Sequence, residues 1–310
     1  MRRATAALPL LVCAVLIPRG AAAVESSTLI AEPVGASLCL TCHADQDSFR
    51  RNAHAKAWPR QKGIGFEQSC ETCHGNGSLH AAAAGDRANP GFATMRNLAK
   101  EGAREGSESC MKCHKGGNRM HWESGVHEAR GVGCMDCHSV HAGHPKNMRT
   151  ADPKDACLRC HRNMKAELMR QSHHPIREGK ITCSDCHNPH GTVGPKLLVG
   201  NGVNDTCFKC HADKRGPYIW EHRPVSEECT VCHVPHGSVH DRLLRQKPPY
   251  LCQSCHSGSR HPGTPNAINT ATPGDTTFER LRVQVYYRAC LNCHPNIHGS
   301  NHPAGRRFMR

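Results

Sequence analysis

Only one stretch of this chain is continuously apolar. Residues 6–17 carry no charge and stand behind Arg2 and Arg3, with Pro18 and Arg19 closing the run. A basic start, a short apolar middle and small residues at Ala21 and Ala23 form an export leader cleaved after Ala23. The run is too short to cross a bilayer as a helix. Cys13 lies inside it, preceded by Val12, which makes a poor lipoprotein site. No later stretch is apolar enough to span a membrane, so the mature chain is expected to be exported and soluble. Beyond the leader the apolar runs are short, none longer than four residues. Helical spacing is visible over 279–291 and 165–171. Residues 81–109 and 262–278 are rich in Ala, Gly, Pro, Thr and Asn and read as loops. The pattern predicts a mostly irregular chain with short α-helices and little or no β structure.

Such a chain lacks the means to build its own core. Hydrophobic residues make up 37% of the 310 positions and aromatics only 4%, and the hydrophobic total includes 21 cysteines. Val, Leu, Ile and Phe alone would make a weak interior for this length. Something other than side chains must fill it.

The cysteines supply the answer. With Cys13 removed, the remaining 20 form ten C-x-x-C pairs: Cys39/Cys42, Cys70/Cys73, Cys110/Cys113, Cys134/Cys137, Cys157/Cys160, Cys183/Cys186, Cys207/Cys210, Cys229/Cys232, Cys252/Cys255 and Cys290/Cys293. Each pair is followed at once by a histidine: His43, His74, His114, His138, His161, His187, His211, His233, His256 and His294. C-x-x-C-H is the attachment signature of c-type haem. Two thiols add to the vinyl groups on one porphyrin edge, and the next imidazole binds the iron. A disulfide framework or Cys₄ zinc sites would use the cysteines but give no reason for a histidine after every pair. Ten covalent haems, flat and apolar, would also supply the missing core.

Fifteen histidines lie outside the motifs. Between each odd-numbered motif and the next stands a free histidine: His54, His127, His173 or His174, His222, His261. Within six residues after each even-numbered motif comes another: His80, His141, His190, His236, His298. The doubled unit recurs five times, over 39–80, 110–141, 157–190, 207–236 and 252–298. Two free histidines per two haems is the stoichiometry of bis-histidine iron. A trailing histidine is tethered too near its own proximal ligand to cap the same haem, so it should reach a neighbour. His121, His144, the other of His173 and His174, His240 and His302 are left over as surface or loop residues, although His121 could replace His127 and His302 could replace His298. His261 stands early and isolated in its unit. The methionines show no phase with the repeat and read as packing. Trp58, Trp122 and Trp220, each close to a free histidine, read as rings against porphyrin edges.

Charge changes the picture less than it first suggests. The formal net charge is +14; Arg2, Arg3 and Arg19 leave with the leader, and +11 remains. Each haem with ionised propionates brings about −1 when ferric and about −2 when ferrous. The basic excess therefore balances the cofactors, and no nucleic-acid motif is present.

Ten C-x-x-C-H motifs in doubled units with trailing H-G or H-x-G, seen as CHNPHG, CHVPHG and CHPNIHG, resemble the MtrA/DmsE-type periplasmic decahaem cytochromes. The likeness covers Cys39 to His298. It implies an elongated multihaem cytochrome c fold wrapped around stacked haems, in two pentahaem halves, 24–163 and 164–310, after the 1–23 leader. It also implies a periplasmic protein associated with the outer membrane and seated in a β-barrel porin. Such a protein links periplasmic or inner-membrane donor cytochromes to an extracellular multihaem cytochrome or reductase, or runs in reverse from ferrous iron. Two other readings remain open. One is a reductase for nitrite, hydroxylamine or a sulfur oxyanion, which requires one open haem. The other is a free periplasmic electron shuttle.

Overall fold

The computed structural model describes residues 30–141, 143–256 and 290–309. The leader, the loop expected over 262–278, most of the helix expected over 279–291, and His261 lie outside them.

Each attachment motif is built on a single helical turn. Residues i, i+3 and i+4 of a helix share one face, and C-x-x-C-H places both cysteines and the histidine at those positions. The turn closes when the histidine N–H donates to the carbonyl of the first cysteine, as in His43 to Cys39 at 3.0 Å, His138 to Cys134 at 2.9 Å and His256 to Cys252 at 2.9 Å. The helices around the motifs are correspondingly short. They include Ala36–Cys42, Ser69–His74, Cys134–Cys137, Pro153–Leu158, Cys183–Cys186 and Val203–Phe208. Local caps start several of them. Asp136 accepts from the Gly133 N–H at 2.7 Å, Asp185 from Thr182 at 2.6 Å, and Asp152 from Lys154 at 3.1 Å; a carboxylate here satisfies an otherwise unpaired N-terminal donor.

Among the described residues there are no named strands, only isolated bridges. Three of these close the same small loop: His138 with Met148, His187 with Leu198 and His233 with Leu244. Each loop turns through two successive non-glycine residues in left-handed backbone: Lys146 and Asn147, Lys196 and Leu197, Arg242 and Leu243, with φ between 52° and 58°. That conformation is unfavourable for such side chains and recurs because of the carbonyl it presents.

Two element expectations need correction. Within 81–109 the structure forms the helix Ala103–Met111, among the longest described at nine residues. Its sequence reads as a loop because Gly106 and Ser107 interrupt it. Those small residues are buried, and Ser107 accepts the Cys134 N–H at 3.1 Å, so the helix docks on the following motif. Arg96 ties the preceding segment down through Glu101 and through Ser109 Oγ at 2.6 Å. The helix expected over 165–171 lies instead at Arg162–Leu168. It stops there because Ser172 pairs with Ser238.

The principal packings between elements join neighbours in the chain, as in a serial array of repeats. Buried hydrophobic side chains are few and mostly small: Ala36, Ala83, Trp122, Ala156 and Leu168. Among the described residues no large side chain is completely buried. Among the described residues no helix is long and apolar enough to cross a membrane.

Candidate haem sites

Among the described residues, nine motif histidines face a second imidazole. The ring centroids stand 5.8–6.3 Å apart in His43–His80, His54–His114, His74–His141, His127–His161, His138–His190, His174–His211, His187–His236, His222–His256 and His233–His298. Two imidazoles on opposite sides of one metal have nitrogens about 2 Å from it. With about 1.1 Å from nitrogen to centroid, the rings then stand about 6.2 Å apart. The pairs therefore fit one iron between each two rings. Among the described residues no group of three or more His, Cys, Asp or Glu converges as a metal site, so the zinc alternative finds no ligand set there.

The pairing follows a register. A free histidine after an odd motif reaches forward to the next odd motif: His54 to His114, His127 to His161, His174 to His211, His222 to His256. A histidine trailing an even motif reaches back to the preceding even motif: His141 to His74, His190 to His138, His236 to His187, His298 to His233. His80 has no even motif behind its own and turns to His43. Each trailing histidine thus serves a different motif from the one it follows.

The expectation for His173 is corrected in favour of His174. His174 faces His211, whereas His173 points its Nε2 at Glu178 Oε1, 3.1 Å away, and its Nδ1 at the Arg170 carbonyl, 2.7 Å away. Among the described residues, His121, His144, His240 and His302 share no ring contact with a motif histidine. His261 lies outside those residues; its motif neighbour His294 directs Nδ1 to the Arg307 carbonyl at 2.5 Å.

Burial holds several of the facing rings in the neutral form that binds metal. It pushes His54, His114, His141, His190, His222, His236 and His298 below the ordinary histidine range, and the facing imidazole adds to this at all of them but His114. The outer nitrogens are fixed by backbone carbonyls, which set the tautomer and ring orientation. His74 pairs through Nδ1 with Arg96 O at 2.7 Å, His187 with Lys196 O at 2.8 Å and His233 with Arg242 O at 2.8 Å. The last two acceptors belong to the left-handed pairs, which explains that backbone. His127 and His174 use the carbonyls of Pro189 and Pro235, at 2.8 and 2.7 Å, and His222 that of Ile297. Those residues immediately precede the trailing histidines His190, His236 and His298.

The phrase P-H-G thereby has three jobs. The proline carbonyl orients one distal histidine, the histidine faces another motif, and the glycine lets the chains meet. A Cβ on Gly191 would lie 2.1 Å from the His121 carbonyl oxygen, and one on Gly237 would lie 1.9 Å from that of Glu167. Sequence reasoning missed these acceptors and contacts; the recurrence of P-H-G and of the basic-Leu-Leu tail in PKLL and DRLL was the available signal.

The attachment turns also meet one another in chain order. The first cysteines pair within each doubled unit: Cys39 with Cys70, Cys110 with Cys134, Cys157 with Cys183, Cys207 with Cys229 and Cys252 with Cys290 stand close enough for their thiols to interact. The second cysteines pair between units: Cys73 with Cys113, Cys137 with Cys160, Cys186 with Cys210 and Cys232 with Cys255 lie within electrostatic reach.

Cys293, the second cysteine of the last motif, is exposed, as are Cys42, Cys113, Cys160, Cys186, Cys210 and Cys255. The last turn is itself formed like the others: the Cys293 and His294 N–H groups donate to the Cys290 carbonyl at 3.2 and 2.9 Å. Cys293 thus keeps the local geometry of attachment.

Comparison with known proteins agrees with this geometry. The doubled C-x-x-C-H motif family matches residues 127–166, 173–216 and 222–261. It takes the motifs in the other phase, each match opening at or beside a forward-reaching histidine. The chain is 37% identical over 284 residues to the multihaem cytochrome MtrA of Shewanella baltica (strain OS185), covering 90% of this chain and 82% of that protein. The chain belongs to the MtrA-type multihaem cytochromes. As a member of that family it carries covalently attached c-type haems and transfers electrons. The helical and irregular fold, without a sheet among the described residues, is that of a multihaem c-type cytochrome.

Proposed function

We propose that this MtrA-type chain holds ten haems, all with two histidine ligands, and works as an electron conduit with no catalysis of its own. The observation that carries this reading is the unbroken succession of attachment turns. First cysteines meet within units and second cysteines meet between them, so consecutive motifs are neighbours from Cys39 to Cys290.

The cysteines would bind the porphyrin edges, the motif histidines one face of each iron, and the facing histidines the other. The forward and backward register leaves His261 and His294 as the closing pair, mirroring His80 and His43 at the other end. Bound haem iron would supply reversible one-electron transfer. The chain's residues hold the rings in register, keep both axial positions filled and keep substrates off the metal. A reductase needs one open iron, and the nine described pairs favour saturation instead.

We place the protein in the periplasm after export, seated in an outer-membrane β-barrel porin. There it would pass electrons between periplasmic or inner-membrane donor cytochromes and an extracellular multihaem cytochrome or reductase. The two halves, 24–163 and 164–310, would divide the wire. The haem file must outreach a bilayer about 40–45 Å thick with its headgroups. The test is to co-express the chain with a candidate outer-membrane β-barrel, purify them together, and seal the complex into vesicles holding an oxidised dye. Reduction of the enclosed dye by an external impermeant reductant is expected. A chain that never co-purifies with a barrel, or a complex that leaves the dye oxidised, would overturn the conduit reading.

A further inference from the structure

Three of the four forward-reaching histidines are oriented alike. His127 and His174 direct Nδ1, and His222 makes its ring hydrogen bond, to a backbone carbonyl just before a trailing histidine. His54 breaks the pattern. The corresponding carbonyl, that of Val140 before His141, is taken by the side-chain amide of Asn52 at 2.6 Å. The same Nδ2 reaches Asn147 Oδ1 at 2.9 Å. Asn52 Oδ1 accepts the His54 backbone N–H at 2.8 Å and lies 3.2 Å from His54 Nδ1. A backbone carbonyl can only accept, so Nδ2 must face Val140 and Oδ1 must face His54. The ring pair is also set apart. His54 and His114 cross at 85°, the widest angle of the nine, and at 5.8 Å they are the closest.

We propose that Asn52 is the positioning residue of His54 and sets the reduction potential of the third haem apart from those held at His161, His211 and His256. The proposal rests on the reading that His54 and His114 share one iron. An acceptor on the outer nitrogen makes an imidazole a stronger donor and favours ferric iron. At the other three sites a backbone carbonyl does this, 2.8 Å from His127 and 2.7 Å from His174. At His54 a neutral amide oxygen, longer and shared with a backbone N–H, does less. The third haem therefore has the higher potential, and the step lies near the N-terminal end of the file.

The experiment uses the fully haem-loaded chain with Asn52→Leu and Asn52→Asp. Potentials are read by redox potentiometry followed by low-temperature electron paramagnetic resonance, in which near-perpendicular imidazoles give a strongly anisotropic low-spin signal. Asn52→Leu is expected to raise the potential of one haem in ten, and Asn52→Asp to lower it. Loss of that low-spin signal in the leucine variant alone also supports a positioning role. No shift in the leucine variant with the signal retained, shifts of the same sign in both variants, or loss of the signal in both would overturn the proposal. His54→Ala separates the two levels of the argument. A low-spin third haem in that variant would sink the ligand assignment itself, whereas a failed vesicle experiment would leave these potentials standing.

Discussion

At the residue scale the histidines do two kinds of work, and their neighbours decide which. His173 and His174 are adjacent in sequence and equivalent in composition, yet only His174 faces His211. His174→Ala should convert one haem of ten to high spin, while His173→Ala should leave every haem low spin; spin counting by electron paramagnetic resonance separates them. The sequence could not choose between them because the choice rests on the Pro235 carbonyl, 61 residues away, and on Glu178, which takes His173. The glycines after the trailing histidines are as demanding. Gly237→Ala puts a methyl group into the Glu167 carbonyl, and overpacking of this kind costs about 1–3 kcal/mol. A lowered midpoint in thermal unfolding, with weakened low-spin character at the haem held by His187 and His236, is the expected result. The attachment residues themselves were fully legible, since C-x-x-C-H states its chemistry in five consecutive letters. The carbonyl acceptors were not, because a backbone oxygen leaves no mark on composition.

At the scale of elements the short helices make sense as turns that aim three side chains one way. They need little propensity of their own, which is why periodicity detected few of them and missed Ala103–Met111. Straps between turns supply the rest. Glu71 stands inside the second motif, and its carboxylate accepts from Val34 at 2.9 Å, Gly35 at 3.1 Å and Gly77 at 2.9 Å. Burial opposes its charge, but the three N–H donors win and hold Glu71 below the usual carboxylate range. Glu71→Ala should release the segment before the first motif and cost about 2 kcal/mol, given the usual worth of hydrogen bonds to a charged group. Faster amide exchange over residues 32–37, with haem content unchanged, would check it; unchanged exchange would show that the strap is held elsewhere.

At the scale of the whole molecule the chain resembles a serial array more than a globule. Its described residues bury few large side chains, and its histidines stitch each unit to the next in both directions. The five-fold repeat was visible in the sequence, and with it the expectation that trailing histidines reach past their own motif, as the facing rings do. The register was not visible, because it depends on which turns stand beside one another in space. That register predicts the fate of the last pair: His261→Ala should leave a single high-spin haem, at His294, and no other change. Because each unit lends a ligand to another, loss of one attachment site should also disturb a second, distant motif. Cys183→Ala with Cys186→Ala should leave His236 without its iron as well as removing a haem.

The most direct test of the account is a spin count on the oxidised, fully loaded chain, with haem number fixed by mass. Saturated axial positions require ten ferric haems, all low spin. A high-spin ferric signal integrating to one haem per chain would reveal an open iron, and the reading of this protein as a conduit without catalysis would be wrong.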